Sequence, residues 1–331
     1  MILISACSTK EQAEPELLFA PPANFPKPIY DMTKNPITQD GFALGKALFY
    51  DPILSRDGTI SCGECHRQDF GFTHHGHDIS HGIDNLKGIR NSLALQNLAW
   101  QPDFFWDGGV GDLDFVPIAP IENPVEMDEK TGNVLEKLRK TTTYPTMFKK
   151  AFGTDEITSQ RFLKALSQFM LSLVSANSRY DKYVRNEGVS LTTDELAGMN
   201  LFKQKCSSCH AGELFSDNSF RNNGLTIQGE KDEGRFRITE NAADKYKFKV
   251  PSLRNISATK PYMHDGRFFS LDAVLDHYAG GVQNTPNLDE KLKENPQLGI
   301  PLSAQEKQQI IAFLQTLTDE EFLTNKRFSE N

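Results

Sequence analysis

Apolar residues recur with the 3.6-residue period of an α-helix in three stretches of the chain. The first two, residues 37–51 and 157–184, each carry one apolar stripe, which we interpret as a face buried in a hydrophobic core. The stripes consist of Phe42, Leu44, Leu48 and Phe49 in the first stretch, and of Phe162, Leu163, Leu166, Phe169, Met170 and Leu173 in the second. Thr38 is the predicted N-cap of the first helix.

The third helical stretch covers residues 302–318 and opens with Ser303 and Glu306, which have the spacing of a capping box. Strand signals are few and short. The remaining segments are rich in Gly, Asn, Asp and Pro, which predicts long ordered loops. The predicted fold class is therefore mainly α.

An internal repeat divides the chain. The segment "NLAWQPDFFWDGGVGDLD" at 97–114 aligns without a gap with "NISATKPYMHDGRFFSLD" at 255–272, which places Trp106 opposite His264. Upstream, "GKALF" is echoed by "GMNLF". A duplication of this kind predicts two similar domains. We assign residues 25–186 to the first and 187–331 to the second, after a leader at 1–24.

Composition narrows the class of protein. Hydrophobic residues make up 38% and charged residues 24% of the 331 residues, which is typical of a soluble globular protein long enough for two domains. The formal net charge is −8, and no basic patch offsets it, which argues against nucleic acid as a partner. The short basic run "KYKFK" at 245–249 is interpreted as a solvated strand or loop.

One of the five cysteines, Cys7, follows a short apolar run in "MILISACSTK". This pattern is similar to the lipobox of bacterial lipoproteins, although the run is short and no basic residue precedes it. We interpret residues 1–24 as a lipoprotein signal remnant followed by a polar, Pro-rich tether. The alternative is an N-terminus with an incidental cysteine. The lipoprotein interpretation predicts a periplasmic protein anchored to a membrane through Cys7.

The other four cysteines form two pentads, "CGECH" and "CSSCH". A Cys-x-x-Cys pair alone fits zinc, a redox disulfide or haem attachment. Zinc needs two further ligands near each pair, and the second pentad has none beyond its own histidine, whereas a redox disulfide needs no histidine. The attached histidine is the c-type haem signature. We predict two covalent haems, held by Cys62, Cys65 and His66, and by Cys206, Cys209 and His210.

Taken together, these motifs resemble a known family. Between and after the pentads stand "RN", "FWDG", "NPVEM", "SRYD", "VPSLRNI" and "PYMHDG". This set is similar to that of the bacterial diheme cytochrome c peroxidases and their MauG-type relatives, from about residue 42 to residue 317. The resemblance implies a peroxidatic haem in the N-terminal domain, an electron-transfer haem in the C-terminal domain, and Ca²⁺ between them.

The resemblance also implies roles for single residues. Trp106 matches the tryptophan between the haems, and Glu126 matches the acid–base glutamate of the peroxide pocket. The matched calcium positions are Asn91, Thr259 and Pro261, which offer oxygen ligands suited to a hard cation. The alternative interpretations are that Trp106 is a core residue, that Glu126 lies in a surface loop, and that the three calcium positions are ordinary turn residues.

Two positions depart from the peroxidase pattern. The position of the distal ligand of the C-terminal haem, a methionine in the peroxidases, is occupied by Tyr278, as in MauG-type enzymes. Met263 in the "DG" turn is the alternative ligand. His277 is predicted to lie on a helix surface. On the N-terminal side, the slot of the removable distal histidine falls on Ile83, which indicates an open iron. His81 is the alternative ligand there, and His74, His75 and His77 are expected to be solvated loop residues.

The leading hypothesis is a peroxidase that reduces hydrogen peroxide to water with electrons from a small c-type cytochrome or cupredoxin. The electrons would enter at the C-terminal haem and cross by way of Trp106. The second hypothesis is a MauG-type enzyme that oxidatively modifies a partner protein, which Tyr278 favours. The third is a non-enzymatic diheme electron carrier with both irons six-coordinate. Family members are often dimers, so a homodimer is a further expectation.

Overall fold

The structure is a computed structural model that describes residues 19–74, 76–227 and 232–330. It is mainly helical, which confirms the predicted fold class. Cys7 and His75 lie outside the described residues. Within the described part of the chain, no helix is both long and apolar enough to cross a bilayer.

The helices and strands of the described residues follow in chain order. The helices are α1 (Gln39–Tyr50), α2 (Cys62–Cys65), α3 (Ile118–Glu122), α4 (Thr131–Arg139), α5 (Thr143–Phe152), α6 (Ser159–Ser172), α7 (Arg179–Val184), α8 (Thr193–Lys205), α9 (Phe236–Thr239), α10 (Leu271–Asp276), α11 (Ala304–Gln315) and α12 (Glu320–Thr324). A π-helical turn, His277–Gly281, follows α10. Strands β1 (Phe220–Arg221) and β2 (Phe248–Lys249) pair antiparallel, with Phe220 opposite Lys249.

Two helix pairs organise the molecule: α1 packs on α6, and α8 packs on α11. The predicted caps are confirmed. Thr38 accepts a hydrogen bond from Gly41 N at the start of α1, and Ser303 forms a capping box with Glu306 at the start of α11. Each cap satisfies backbone N–H groups that the helix itself cannot bond.

The two pairs share one packing device, and it explains the "GKALF" and "GMNLF" echo. A Cβ on Gly45 would overlap the carbonyl oxygen of Ala165 in α6, and a Cβ on Gly198 would overlap that of Gln309 in α11. Glycine therefore lets both helix backbones approach closely. An aromatic contact follows in each pair, with ring centroids 5.0 Å apart for Phe49–Phe169 and 5.3 Å apart for Phe202–Phe313.

The prediction of one continuous helix over residues 157–184 is wrong. Helix α6 ends at Ser172, and α7 starts only at Arg179, capped by Ser178. Polar residues between them bond elsewhere: Ser175 N donates to Asn97 Oδ1 at 2.9 Å. Serine and asparagine offer such alternatives to helical hydrogen bonds, which ends the helix despite its apolar stripe.

The repeated "DG" turns have matched backbone conformations. Gly108 has φ +69° and Gly266 has φ +68°, a region that favours glycine, and the residues three positions earlier, Phe105 and Met263, also have positive φ. A Cβ on Gly108 would meet Phe220 of the second half, and a Cβ on Gly266 would meet the backbone of Asp78 in the first. The two turns therefore hold the halves together reciprocally.

Two large apolar cores surround the helix pairs. The first contains α1 and α6 and also takes in Phe322, Leu323 and Phe328 from the end of the chain. The second contains α8 and α11 and also takes in Tyr180 of α7. The two halves thus exchange terminal segments, and the boundary at residue 187 stays a prediction.

A buried ion pair joins the two halves. Arg254 and Asp181 are both fully buried, and two hydrogen bonds of 2.8 Å connect the guanidinium to the carboxylate. Arg254 Nε also donates to Glu213 O at 2.7 Å, and the guanidinium lies 4.4 Å from the ring centroid of Phe25. Removing one partner of such a pair costs about 3–5 kcal/mol, because the other charge is left buried alone.

We expect Gly198→Ala, and equally Gly45→Ala, to lower the free energy of unfolding by about 1–3 kcal/mol, since the added methyl group forces the helix backbones apart. The matched control is Gly132→Ala in α4, where a Cβ meets nothing within 4 Å. It should leave stability unchanged or raise it slightly, because alanine is the better helix former. Thermal and denaturant unfolding measure both; equal effects at all three glycines would contradict the close-packing explanation.

Candidate haem-binding site

The first pentad presents its histidine in the state that a metal ligand needs. His66 follows α2 directly, and its Nδ1 lies 2.8 Å from Phe72 O. Burial lowers the pKa of His66, so the imidazole is neutral. If Nδ1 donates to the carbonyl, Nε2 carries a free lone pair for a metal.

The second pentad repeats this arrangement. His210 Nδ1 lies 3.2 Å from both Phe215 O and Pro251 O, and burial lowers the pKa of His210 as well. Phe72 and Phe215 both have positive φ, 59° and 53°. This uncommon conformation turns each carbonyl back toward the imidazole. The structure therefore prepares both histidines in the same way.

The four pentad cysteines form no disulfide. Burial raises the pKa of the Cys62 and Cys206 thiols to about 12, so both thiols are neutral. A redox-active Cys-x-x-Cys pair has a lowered thiol pKa instead. The surroundings of these thiols therefore fit haem attachment better than disulfide exchange.

A cavity of about 550 Å³ adjoins the second pentad. This volume is within the range of sites for large organic ligands. Residues from both halves line it, including the predicted ligands and inter-haem residues Cys206, Cys209, His210, Tyr278, Met263, Trp106, Asn91, Thr259 and Pro261. The fold thus brings together residues that lie up to 187 positions apart, from Asn91 to Tyr278.

Both candidate distal ligands of the second haem face this cavity. Tyr278 lies in the π-helical turn, and burial raises its pKa to about 12. Asn223 is next to both candidates: its Nδ2 donates to Met263 Sδ at 3.4 Å, and its side chain also bonds Tyr278. The choice between tyrosine and methionine stays a prediction.

The prediction for His277 is wrong. It is buried, and its Nε2 lies 2.9 Å from Asn223 O. The imidazole packs against the loop that carries Asn223, a segment more than 50 residues earlier in the chain. Sequence periodicity does not reveal such a contact with a distant segment.

Trp106 lies at the junction of the two halves, and its partner in the repeat faces it. The ring centroids of Trp106 and His264 are 6.5 Å apart in an edge-on arrangement, and Phe248 stacks on His264 at 3.7 Å. Asn91 connects the pair, since Trp106 Nε1 donates to Asn91 O at 2.8 Å and Asn91 N donates to His264 O at 2.7 Å. No sequence motif indicates the contribution of Phe248, which comes from the distant strand β2.

The residues predicted to hold calcium leave one oxygen without a donor. Asn91 Nδ2 donates to Pro261 O at 2.7 Å, but the buried Asn91 Oδ1 has no hydrogen-bond partner. Asn255, which follows an arginine as Asn91 does, is by contrast satisfied, because Asp319 N donates to its Oδ1 at 2.7 Å. An orphaned buried oxygen close to a carbonyl fits a hard cation. The described residues contain no His, Cys, Asp or Glu cluster arranged for a metal ion.

Glu126 lies beside the first pentad. Its charge contributes to the raised pKa values of both Cys62 and Cys65, after the larger effect of burial. Glu126 as a residue is exposed, but desolvation of its carboxyl group by the surrounding protein raises its pKa. Asn123 Nδ2 donates to Glu126 Oε1 at 2.6 Å. A carboxyl group with a raised pKa holds its proton more tightly than an ordinary glutamate and can act as an acid–base group.

The loop after the first pentad is hydrogen-bonded to the backbone of Glu126. Ile83 N donates to Glu126 O at 2.7 Å, and a Cβ on Gly82 would overlap that backbone. Ile83, in the predicted ligand slot, is fully buried, and His81 is half-buried with its Nδ1 bonded to Asn85 Oδ1. Ligation by His81 stays a prediction.

Two further predictions about this loop and the basic run need correction. His74 is buried and bonded to His77 at 2.9 Å rather than solvated, because the loop folds back on itself. Lys249 in the basic run is only 5% exposed, because β2 pairs with β1 inside the molecule. Because lysines are mostly exposed in proteins, the sequence alone does not identify the one lysine of this run that is buried.

Comparison with known proteins agrees with this architecture. The family described as "Di-haem cytochrome c peroxidase" matches residues 39–189. The methylamine utilization protein MauG of Methylorubrum extorquens is 35% identical over 316 residues, which cover 95% of this chain and 87% of the relative. The cytochrome c551 peroxidase of Nitrosomonas europaea is 37% identical over 310 residues, covering 90% and 86%.

A solved structure is similar as well. The crystal structure of a MauG-like protein associated with microbial copper homeostasis has 32% sequence identity and a TM-score of 0.82, and the match covers 93% of this chain and 97% of that one. Fold and site thus define a mainly helical protein with two c-type haem attachment sites. More particularly, the chain belongs to the di-haem cytochrome c peroxidase family, which includes MauG.

We expect Cys206→Ala/Cys209→Ala to remove one covalently bound haem and Cys62→Ala/Cys65→Ala to remove the other, because each pentad attaches its own. Mass spectrometry of the denatured protein and the haem-to-protein ratio by absorbance measure this. Ser207→Ala/Ser208→Ala, between the cysteines of the second pentad, is the control and should retain both haems. Retention of two haems by either cysteine variant would refute this assignment.

Proposed function

We propose that this protein is a diheme c-type peroxidase that reduces hydrogen peroxide to water with electrons from a small redox protein. The observation that carries the proposal is the position of Glu126, a carboxyl group with a raised pKa beside the first haem-binding pentad. An electron carrier has no need of such a group. The peroxidases among the relatives support the same activity.

A haem at each pentad would supply the redox chemistry, and the protein residues would manage protons and geometry. His66 and His210 would hold the irons through Nε2, since their Nδ1 atoms face carbonyls. Glu126 would take a proton from bound peroxide and return it to the leaving oxygen. Asn123 holds that carboxyl group in place.

Electrons would enter at the C-terminal haem and pass to the N-terminal haem by way of Trp106. This route is supported by Trp106 lining the cavity of the second pentad while belonging to the repeat of the first half. We propose a small c-type cytochrome or a cupredoxin as donor. The buried edge-on contact with His264 keeps the indole in one orientation.

The second candidate is a MauG-type enzyme that oxidatively modifies a partner protein. Tyr278 favours it, because a phenolate ligand lowers the potential of a haem and stabilises ferric iron. The 35% sequence identity with MauG and the structural similarity to a MauG-like protein support this candidate too. A diheme electron carrier is the third candidate; failure of the ferrous N-terminal haem to bind carbon monoxide would support that function.

Three accompanying proposals concern the surroundings of the enzyme. Ca²⁺ would bind Asn91 Oδ1 and the carbonyls of Thr259 and Pro261, which supplies the missing partner of the orphaned oxygen. The protein would act in the periplasm, anchored as a lipoprotein through Cys7. It would form a homodimer.

Glu126→Gln should lower kcat/KM for peroxide by about 10²- to 10⁴-fold, the usual contribution of a positioned acid–base group. In the wild type, activity should fall as the pH drops through the raised pKa of Glu126, because the protonated carboxyl group cannot act as a base; this acid limb should be absent from Glu126→Gln. Stopped-flow rates across pH measure both. Glu136→Gln, an exposed carboxylate on α4, is the matched control. An unchanged rate in Glu126→Gln would remove the basis of the proposal.

Tyr278→Phe should alter the electron paramagnetic resonance signal of the C-terminal haem, because the phenol oxygen is the proposed axial ligand. Tyr262→Phe, a buried tyrosine of the same cavity whose hydroxyl donates to Ile256 O, should not. A change in Met263→Leu without one in Tyr278→Phe would identify the methionine as the ligand. With tyrosine bound, the diferric protein should react with peroxide without prior reduction, as absorption spectra can show.

Steady-state turnover separates the two enzyme candidates. We expect the peroxidase to catalyse brisk oxidation of a reduced small cytochrome by peroxide, because the donor supplies the electrons that each turnover consumes. Negligible oxidation of both cytochrome and cupredoxin donors, with peroxide still consumed by the diferric protein, would favour the protein-modifying enzyme. Glu126→Gln serves as the inactive reference.

A further inference from the structure

Lys249 of β2 has a hydrogen-bond donor that the protein does not use. Its Nζ donates to Gln101 Oε1 at 2.7 Å and to Asp103 O. An ammonium group has three N–H donors. The third has no acceptor among the described residues, although only 5% of Lys249 is exposed.

The ammonium group of Lys249 has no anionic hydrogen-bond partner. Both of its acceptors are neutral, none of the ion pairs among the described residues includes this lysine, and the ring centroid of Phe104 lies 5.9 Å from its Nζ. Burial lowers the pKa of Lys249 to about 8, against the weaker opposing effect of Asp103. A buried cation is costly unless an anion or a full set of hydrogen bonds accompanies it. One carboxylate would supply both the missing hydrogen-bond acceptor and the missing anionic partner of Lys249.

Lys249 lies where two adjoining cavities meet. It lines the cavity of about 550 Å³ that adjoins the second pentad and, with its acceptor Gln101, a cavity of about 50 Å³ that shares this wall, so an anion in the larger cavity is next to the lysine. Its backbone N donates to Trp106 O at 2.8 Å, and the carbonyl of Pro251, two residues on, faces His210 Nδ1. The lysine therefore lies between the second haem-binding pentad and the inter-haem tryptophan.

We propose that Lys249 binds a carboxylate side chain of the haem attached at Cys206 and Cys209, and so anchors the haem edge next to Trp106. The inference rests on the proposed function only in requiring a haem at the second pentad. Because a nearby cation stabilises the more electron-rich ferrous state, Lys249 raises the reduction potential of this haem.

The test is a spectroelectrochemical titration of the holoprotein. In Lys249→Met, of similar length but uncharged, the reduction potential of the C-terminal haem should fall, and that of the N-terminal haem should shift less. Lys249→Arg should restore most of the wild-type value. Lys247→Met is the matched control, since its amine pairs with Asp244 at 3.4 Å outside the cavity lining, and it should leave both potentials unchanged. The Cys62→Ala/Cys65→Ala variant, with one haem, assigns the signals.

An unchanged C-terminal potential in a folded, fully loaded Lys249→Met protein would overturn the proposal, and so would equal shifts in Lys249→Met and Lys247→Met. If Lys249→Met fails to mature, the comparison of Lys249→Arg with Lys249→Gln decides, and equal potentials in that pair would count against the anchor. The titration needs neither peroxide nor donor. A protein that lacks peroxidase activity can therefore still show the anchor, and an active peroxidase can lack it.

Discussion

The buried pair of Arg254 and Asp181 is the constraint on which the arrangement of the two halves depends. Its members belong to α7, at the end of the first half, and to the loop after β2 in the second. Arg254 O and the Asn255 amide also bond the side chain of Gln96 in the first half. Since an unpaired charge cannot stay in this interior at small cost, the halves must dock in one register. That register brings Trp106, Asn91 and His264 together at one junction.

Duplication explains the common framework, and local differences between the copies explain the site. Matched glycines, aromatic contacts and "DG" turns build both halves alike. At aligned positions, however, the first half has Trp106 and Asn91, whose buried Oδ1 has no hydrogen-bond partner, whereas the second has His264 and Lys249. One copy of the repeat therefore contributes an indole and an unpaired amide oxygen, where its counterpart contributes an imidazole and a buried amine. A symmetric framework thus carries asymmetric chemistry.

Much of the candidate site could be anticipated because its signals are local. A Cys-x-x-Cys-His pentad, a capping box and a repeated "DG" turn each involve neighbouring residues, so spacing alone identifies them. The break after Ser172, the burial of His277 and the buried amine of Lys249 could not be read this way. Each depends on a contact with a distant segment: Asn97, the loop of Asn223, and the loop of Gln101. Tertiary contacts override local propensity at such positions.

By itself, then, the sequence determined the helical class, the internal repeat and the two haem-attachment pentads, because these follow from periodicity and from chemistry within a few residues. Only the tertiary structure decided which side chains share the cavity, which carbonyl faces the imidazole of each pentad, which oxygen lacks a hydrogen-bond partner and which amine is buried. The physical reason is that burial and hydrogen-bond satisfaction are properties of the packed chain, not of any segment of it.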